Sequence, residues 1–420
     1  MIMKETVKSI IPGPLLSAYH FTLAFLAALV YRFPSRRIIV VAVTGTKGKS
    51  STIEFLNAIF EAAGHTTALS STIRFKIGAT SKPNLRRQTQ PGRFFLQSFL
   101  ARAADAGCTV ALIEMTSEGA RQFRHRFIDL DALIFLNLAP EHIESHGSLE
   151  AYADAKYELG KQLLRSRKRP RIMVANASDA QSARYLTLPV EELRPFSLDT
   201  AAPWETGERG GFFTFDRLRI EVRLPGAFSL MNALAAAVAA HALGIPCPTI
   251  ARGIAALEKI PGRAEEIIEG QPFSVIVDYA HTPDSLAALY RAFSTRRKIC
   301  VLGSTGGGRD TWKRPVMGAI ADEECDMIIL TNEDPYDEEP RSIVDGIARG
   351  IERRTPEIIM DRREAIRRAF EAARASDVVL ITGKGTDPTI QGPRGTSIPW
   401  SDAEVAREEL RKRFGKKDAR

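Results

Sequence analysis

This 420-residue chain contains no C-x-x-C motif, no internal repeat and no low-complexity tract. The four cysteines include no C-x-x-C pair and lie in apolar contexts, so the sequence predicts neither a zinc site nor a disulfide framework. This cysteine usage indicates a reducing compartment. The four positions are Cys108, Cys247, Cys300 and Cys325.

Basic residues interleaved with aromatics, which mark nucleic-acid surfaces, are also absent. The net charge is +8, but the arginines and lysines are spread along the chain, as in Arg296 and Arg297 or Arg362 and Arg363. A solvated helix face or a small polyanionic substrate explains such a distribution. The sequence therefore predicts no nucleic-acid partner.

Residues 38–64 hold the most informative pattern that is present. Six apolar residues from Ile38 to Val43 predict a buried strand, and apolar residues at helical spacing up to Gly64 predict the helix after it. The turn between them, T-G-T-K-G-K-S, predicts a phosphate site at a helix N-terminus, since small residues let backbone N–H groups converge there. Lys49 would reach the β- and γ-phosphates of ATP, and Ser50 would hold Mg²⁺. The ATP-binding candidates here are Gly45, Thr46, Gly48, Lys49, Ser50 and Ser51; the alternative is a glycine turn without a ligand.

The apolar run before this unit, residues 15–31, contains seventeen mostly apolar residues and His20. It is shorter than the ~20 residues that a spanning helix needs. Cleavage as a signal peptide would place an ATP site where there is no ATP. The sequence predicts a cytoplasmic protein with a helix that either packs on its domain or lies on a membrane surface, which would make the protein membrane-associated.

Apolar strand candidates alternate with helical stretches along the rest of the chain, which predicts an α/β fold with a parallel, doubly wound sheet. Pro261-Gly262 marks a boundary, beyond which a fresh series of strands begins. We expect an N-terminal hydrophobic segment (1–37), a central ATP-binding domain (38–260) and a smaller Rossmann-like α/β domain (261–420). Residues 186–222 predict short strands or an inserted hairpin.

Polar residues at the carboxyl ends of these strands are the candidate site, because open α/β sheets bind ligands there. Glu114 is placed to complete Mg²⁺ coordination. Asn137 could orient a substrate and His142 could bind a metal, although a lone histidine is a weak signal. Lys156 is by default a solvated helix lysine. In the second domain, Asp278 follows a strand in the way of a ribose-binding aspartate.

These motifs resemble the Mur ligase family, and within it the members that add the third residue of the peptidoglycan stem peptide. The shared patterns are G-T-x-G-K-[ST], E-x-x-S at Glu114, N-L-x-x-[DE]-H-x-x-x-H-G, D-Y-A-H-T-P-D-[SA]-L, R-D-x-x-K-R-P-x-M-G-x-I-A and G-K-G. Several long patterns in one order are far more specific than a single loop. The resemblance implies an ATP-dependent ligase that joins an amino acid to a peptidoglycan precursor through an acyl phosphate.

The resemblance also implies residue roles. Lys156 matches a lysine that is carbamylated and binds a second Mg²⁺, with His142 and Glu114 at the metal sites and Lys49 as the fourth catalytic residue. Asn232, Arg263 and Asp278 match positions that contact adenine, phosphate and ribose. Thr89, Pro91, Ser117 and Arg124 match the residues that hold the muramoyl-peptide acceptor. The further substrate candidates are Asn137, His281, Arg309, Asp334, Tyr336, Gly383 and Asp387.

Two departures from the family keep alternatives open. Family members usually carry a uridine-binding domain ahead of the loop, whereas only residues 1–37 stand there, so the acceptor is either uridine-linked or lipid-linked, or even non-murein. Asp334-Pro335-Tyr336 replaces the D-N-P-R of diaminopimelate enzymes, and several acids surround Tyr336. This predicts either an acidic pocket that selects lysine or another diamine, or a solvated loop. A nucleotide-binding regulatory protein without ligation is the rival from another class, and the sequence does not fix the oligomeric state.

Overall fold

A computed structural model describes residues 13–141 and 143–415 of the protein. The chain forms two units. The first contains the residues up to 205 together with 211–223 and 228–257, and the second contains 206–210, 224–227 and the residues from 258 onward.

Helix α1 (Gly13–Val30) is the first element of the described residues, and a short 3₁₀ turn, Pro34–Arg37, follows it. One side of α1 is made of alanines, Ala24, Ala27 and Ala28, which are buried in the first unit. The prediction of a helix packed on its domain is therefore confirmed. None of the helices in the described part of the chain has the length and apolar character needed to cross a membrane.

An eight-stranded sheet forms the centre of the first unit, in the order β4-β3-β2-β5-β1-β6-β7-β8. Strands β2, β5, β1, β6, β7 and β8 run parallel, which confirms the predicted parallel sheet. Strands β3 and β4 pair antiparallel at one edge, a feature that the sequence did not predict. The strands are β1 (Ile39–Thr44), β2 (Thr67–Ser70), β3 (Arg74–Ile77), β4 (Thr80–Pro83), β5 (Val110–Glu114), β6 (Ala132–Phe135), β7 (Ile172–Asn176) and β8 (Glu192–Phe196).

Helices cover this sheet and fix its ligand edge. They are α2 (Lys49–Ala62), α3 (Arg93–Asp105), α4 (Ser117–Arg121), α5 (Ile143–His146), α6 (Leu149–Arg165), α7 (Ser182–Leu186), α8 (Ala227–Ala242) and α9 (Cys247–Ala256). Gly253 of α9 packs on α2 so closely that an added Cβ would lie 2.6 Å from the Ile59 Cα. Short strand β9 (Glu205–Gly207) precedes an antiparallel pair, β10 (Gly210–Phe215) and β11 (Leu218–Val222), which confirms the predicted hairpin.

The second unit contains a six-stranded sheet in the order β12-β13-β17-β14-β15-β16, parallel except for β12. Its strands are β12 (Glu265–Glu266), β13 (Ser274–Asp278), β14 (Lys298–Leu302), β15 (Met327–Leu330), β16 (Glu357–Ile358) and β17 (Val378–Thr382). Its helices are α10 (Pro283–Arg291), α11 (Lys313–Glu324), α12 (Pro340–Ala348), α13 (Arg362–Ala372) and α14 (Asp402–Phe414), with a small hairpin of β18 (Thr389–Gln391) and β19 (Ser397–Pro399). The predicted α/β class is confirmed for both units.

The cysteines depart from the sequence expectation. Cys300 in β14 and Cys325 at the end of α11 form a disulfide, so the prediction of no disulfide is wrong. The two residues are 25 positions apart and meet because α11 returns the chain to β15, the neighbour of β14. Cys247 lies close to Asp216 and His241, a set of possible metal ligands. Its thiol donates to the Asp216 carboxylate over 3.4 Å, so this group is already hydrogen-bonded without an ion.

Candidate active site

The glycine-bearing loop between β1 and α2 can be built only with glycine at two positions. Gly45 and Gly48 have φ values of +152° and +85°. A Cβ on Gly48 would lie 2.2 Å from Oδ1 of Asn232, and one on Gly45 would lie 2.9 Å from the Leu136 Cβ. The loop therefore leads into the N-terminus of α2 in a left-handed conformation, with Asn232 against it. Such a helix N-terminus attracts anions.

Two lysine side chains converge on one carbonyl of this loop. Lys49 Nζ donates to the carbonyl oxygens of Gly45 and Thr46 at 2.9 Å, and Lys156 Nζ donates to the same Gly45 oxygen at 2.8 Å. Lys156 is only 2% exposed, so the default prediction of a solvated helix lysine is wrong. Burial lowers the pKa of Lys156 well below its usual value, and the charge of Lys49 lowers it further. The arrangement concentrates basic groups where phosphates would bind.

Asn137 holds the loop in place. Its Oδ1 accepts the backbone N–H groups of Thr46 (3.0 Å) and Lys47 (2.9 Å), and its Nδ2 donates to the Lys47 carbonyl over 3.2 Å. The Asn137 amide is therefore engaged with the phosphate loop on both sides, and the prediction that it orients a substrate stays a prediction.

Glu114, at the carboxyl end of β5, is 1% exposed and opposes Val43 in the neighbouring strand. Its two oxygens accept the N–H and the hydroxyl of Thr72, at 2.9 and 3.0 Å, and the Thr72 hydroxyl oxygen, which has no second proton to donate, accepts from the Thr89 hydroxyl over 2.9 Å. A hydrogen-bond chain thus connects a candidate metal ligand with a candidate acceptor residue.

The oxygen ligands offered by this edge suit Mg²⁺. Ser50 and Ser51 lie in the first turn of α2 and are buried, and Glu114 provides a carboxylate. Mg²⁺ prefers hard oxygen donors and keeps several waters, so few protein ligands suffice. The predicted ligand His142 lies outside the described residues.

The predicted acceptor residues come together beside α4. Pro91 and Ser117 are buried, and Arg124 donates to the Gln90 carbonyl and, over 2.7 Å, to Gln122 Oε1. Gln90 also accepts the Thr116 N–H at 2.9 Å through its side chain.

Arg93, which sequence reasoning missed, lies beside the predicted acceptor residues. It donates to the Gln122 carbonyl over 2.7 Å, which places it next to Arg124. Burial lowers the pKa of both guanidinium groups, and the charge of Arg124 adds to the effect on Arg93. Two adjacent cations in a partly buried position favour an anionic ligand. The nearby T-Q-P-G-R segment was the available signal, since it contains Arg93.

In the second unit, Asp278 and Arg263 organise one turn. Both carboxylate oxygens of Asp278 accept backbone N–H groups, from Ala264 and Ala280, at 2.6 Å. The Arg263 guanidinium lies 4.6 Å from the centre of the Tyr279 ring. His281 contacts Tyr279 as well, through the backbone carbonyl at 2.6 Å. This aspartate therefore holds the turn, and its predicted contact with ribose stays a prediction.

A buried lysine that sequence reasoning passed over joins two predicted substrate residues. Lys384 Nζ lies 2.8 Å from Asp334 and 3.2 Å from Asp387, and Asp334 also accepts the Gln391 N–H at 2.7 Å. The neighbouring Gly383, at φ +109°, leaves room for the buried Glu333, whose Oε2 would lie 2.2 Å from an added Cβ. Asp334 therefore positions other groups, and the G-K-G motif was the signal for Lys384.

Acids around Tyr336 make contacts within the second unit, and the acidic-pocket prediction stays a prediction. The acids of this segment are engaged by other groups: Asp334 by Lys384, Asp337 by the Arg394 N–H, Glu338 by Arg314 and Glu339 by the Ser342 N–H. The hydrogen bond to Arg314 lowers the pKa of Glu338, whereas burial raises the pKa of Glu333. The exposed Arg309 guanidinium lies 4.9 Å from the Tyr336 ring centre. A cation thus lies beside this tyrosine.

Comparison with protein families shows which family the chain belongs to. Residues 43–240 match the Mur ligase middle domain, and residues 262–385 match the Mur ligase, glutamate ligase domain. The chain belongs to the Mur ligase family. It is therefore an ATP-dependent ligase that forms amide bonds, as the sequence motifs predicted.

Individual Mur ligases agree with this assignment. The UDP-N-acetylmuramyl-tripeptide synthetase of Roseiflexus sp. (strain RS-1) is 37% identical over 418 residues, which cover 92% of this chain and 81% of that protein. The UDP-N-acetylmuramoyl-L-alanyl-D-glutamate--2,6-diaminopimelate ligase of Halalkalibacterium halodurans is 33% identical over 403 residues, covering 93% and 82%. A solved structure of a ligase with that second name is 28% identical, with a TM-score of 0.60 over 89% of this chain and 78% of its own.

Proposed function

We propose that this Mur ligase joins an amino acid to a carboxylate of a peptidoglycan-precursor peptide, with ATP as the activating substrate. The observation that carries the proposal is the convergence of Lys49 and Lys156 on the Gly45 carbonyl of a helix-N-terminal loop. The names of the similar tripeptide synthetase and diaminopimelate ligase support the substrate class.

The reaction balances in two steps. A carboxylate oxygen of the acceptor attacks the γ-phosphorus of ATP, the bond to the β-phosphate oxygen breaks, and an acyl phosphate and ADP result. The amine of the amino acid then attacks the acyl carbon, the amide bond forms, phosphate leaves, and the nitrogen loses a proton. Lys49 moves from the loop carbonyls to the γ-phosphate, where its charge stabilises the transition state.

Mg²⁺ would be held by Ser50 and Glu114, and it would neutralise phosphate charge during transfer. A carbamate on Lys156 would supply a further oxygen ligand. Burial supports this modification, because only the neutral amine adds to CO₂ and the lowered pKa of Lys156 favours that form. Arg93 and Arg124 bind and orient the anionic acceptor, with Thr89 and Ser117 beside them. Asn232, Arg263 and Asp278 are proposed to bind the adenosine part of ATP.

For the amino acid, the segment around Tyr336 favours a substrate with an additional carboxylate over lysine. Two of the neighbouring acids, Asp334 and Glu338, are paired with Lys384 and Arg314, whereas the Arg309 guanidinium lies 4.9 Å from the centre of the Tyr336 ring. We propose that Arg309 pairs with that carboxylate, and that His281, Gly383 and Asp387 complete the binding site. Competition between lysine and meso-diaminopimelate tests this assignment, and a preference for lysine would contradict it.

The use of ATP supports a cytoplasmic location for the enzyme. Exposed apolar residues on α1 support peripheral contact with a membrane through residues 15–31.

Phosphate release and product mass, measured with purified protein, ATP, a panel of amino acids and a muramoyl-dipeptide acceptor, test the proposed function. We expect phosphate release that requires both the acceptor and the amino acid, together with a product of the ligated mass. Lys49→Ala should lower this phosphate release. Lys82→Ala, at an exposed lysine of β4, is its matched control. Phosphate release that is independent of both substrates would overturn the proposal.

A further inference from the structure

Helix α1 presents an apolar stripe to solvent. Leu15, Tyr19, Leu26 and Leu29 recur at spacings of four, seven and three residues, which places them on one side of a helix, and all four are exposed. Leu15 is 62% exposed and Leu29 52%. A solvent-facing helix side normally carries polar and charged residues. The α1 stripe, defined by these four residues, breaks that rule.

The other side of α1 determines how the helix can meet a membrane. Ala24, Ala27 and Ala28 are buried, and the helix packs against α3, so lipid cannot surround it. Eighteen residues, from Gly13 to Val30, contain no charged side chain. A helix with one side fixed to protein and an apolar opposite side suits a position parallel to a bilayer surface, at the level of the head groups.

Arginine side chains lie around the α1 stripe. Arg32 is exposed directly after the helix, and the Arg126 guanidinium lies 5.4 Å from the ring centre of Phe21 in α1. Arg36 and Arg37 follow, although they pair with Asp129 and Asp105. An apolar stripe with arginines at its border complements a surface with acidic lipid head groups.

The same helix contacts the acceptor residues of the first unit. His20 Nδ1 lies 2.9 Å from Arg93 Nη2, the group that also donates to the Gln122 carbonyl. The Phe21 ring packs edge-on against the rings of Phe123 and Phe127, with centre-to-centre distances of 6.2 and 5.2 Å. These two phenylalanines flank Arg124 in the sequence. The segment that carries Thr89 also exposes Leu85, at 71%. His20 lies on the protein side of α1, so a bilayer that holds the α1 stripe would be about one helix diameter, ~10 Å, from the neighbouring cations Arg93 and Arg124.

We infer that the α1 stripe docks on an acidic lipid bilayer and that the acceptor reaches Arg93 and Arg124 as a lipid-linked anion. The inference rests on the proposed function for its substrate, because it names the carrier of that acceptor. The apolar anchor of the acceptor would stay in the bilayer beside α1, while its anionic group meets the two arginines.

Vesicle co-sedimentation of the full-length protein tests the docking without any ligation. Vesicles of phosphatidylcholine with phosphatidylglycerol should bind the wild-type protein, and Leu26→Glu/Leu29→Glu should weaken binding by at least ~10-fold, because two charges enter the apolar stripe. Ile268→Glu/Ile398→Glu, at exposed apolar residues of the second unit, is the matched control and should bind like the wild type. Equal binding to pure phosphatidylcholine, or no binding at all, would refute the docking. A wild-type dimer that Leu26→Glu/Leu29→Glu converts to monomer would assign the stripe to a second copy of the chain and also refute it.

Ligation assays test the carrier. With acceptor embedded in the acidic vesicles, the stripe variant should lose at least ~10-fold in rate relative to the wild type, and the control variant should lose nothing. Equal rates for the stripe variant and the wild type would overturn the lipid-linked acceptor. Vesicle binding without ligation of any acceptor would instead count against the proposed function and leave the docking supported.

Discussion

Replacing Lys156 with methionine separates the catalytic and structural roles of this buried lysine. Methionine fills a similar volume, and the Gly45 carbonyl keeps the hydrogen bond from Lys49 at 2.9 Å. The fold should therefore survive. The amine that would carry a carbamate is lost, so we expect ligation to fall by ~10²–10³-fold, the size of effect found when one group that stabilises transition-state charge is removed.

The same substitution should change how stability depends on pH. The pKa of Lys156 is lowered in the folded protein by burial, so between that lowered pKa and 10.5 the unfolded chain binds more protons. The free energy of unfolding should therefore rise with pH in this window, by up to about 1.4 kcal/mol per pH unit from this one residue. In Lys156→Met this contribution to the slope disappears, and stability near neutral pH is equal to or higher than that of the wild type.

Denaturant unfolding at several pH values, in bicarbonate-free buffer, measures the slope, and phosphate release measures the activity. Lys161→Met on the same helix is the control, because Lys161 is exposed and pairs at the surface with Glu158. A Lys156→Met enzyme with wild-type turnover would refute the catalytic role, and a marked loss of stability would refute the burial argument.

Three further predictions concern other parts of the chain. Lys49→Ala should lower ligation at least ~10²-fold without changing the melting temperature, as phosphate-release and thermal-unfolding assays would show. His125 is buried with a pKa lowered by that burial to about 3, against 6.5 when exposed, so its contribution to stability is present above pH 6.5 and is lost as the pH falls toward 3. Below pH 6.5 this histidine lowers the free energy of unfolding by about 1.4 kcal/mol per pH unit, and His125→Leu should remove that decrease. Denaturant unfolding measures it, and an unchanged pH dependence of the free energy of unfolding would contradict the prediction. Arg362→Ala should destabilise the second unit by about 3–5 kcal/mol because it leaves the Asp402 carboxylate buried and unpaired, whereas Arg363→Ala at a surface pair should cost under ~1 kcal/mol.

The phosphate loop was predictable from sequence because its signals are local. The run from Ile38 to Val43, the two glycines and the apolar spacing of α2 lie within 27 consecutive residues, 38–64. Each of these signals favours the same strand–turn–helix structure. The acceptor candidates and Glu114 were found through motif spacing, which again needs no knowledge of tertiary contacts. The edge strands β3 and β4 were missed because T-S-K-P is exposed and lacks the alternation of a half-buried strand.

Features that depend on distant residues were not predictable. Lys156 lies in a helix whose sequence permits exposure, and only the approach of Gly45, 111 residues earlier, buries its amine. Asp334, one of the acids near Tyr336, pairs with Lys384, which lies 50 residues later in the sequence. The three hydrogen bonds by which the Asn137 amide holds the loop cross 90 or 91 residues of sequence. Local patterns do not encode such pairings.

The fate of the acceptor oxygens tests the central claim, amide formation through an acyl phosphate, most directly. The acceptor carboxylate is labelled with heavy oxygen, and the released phosphate is analysed by mass spectrometry after ligation with ATP and the preferred amino acid. The account predicts one labelled oxygen in phosphate for each amide formed, because the attacking carboxylate oxygen leaves with the phosphoryl group. Phosphate that carries no label, released at the same rate in the absence of the amino acid, would show plain ATP hydrolysis and contradict the account.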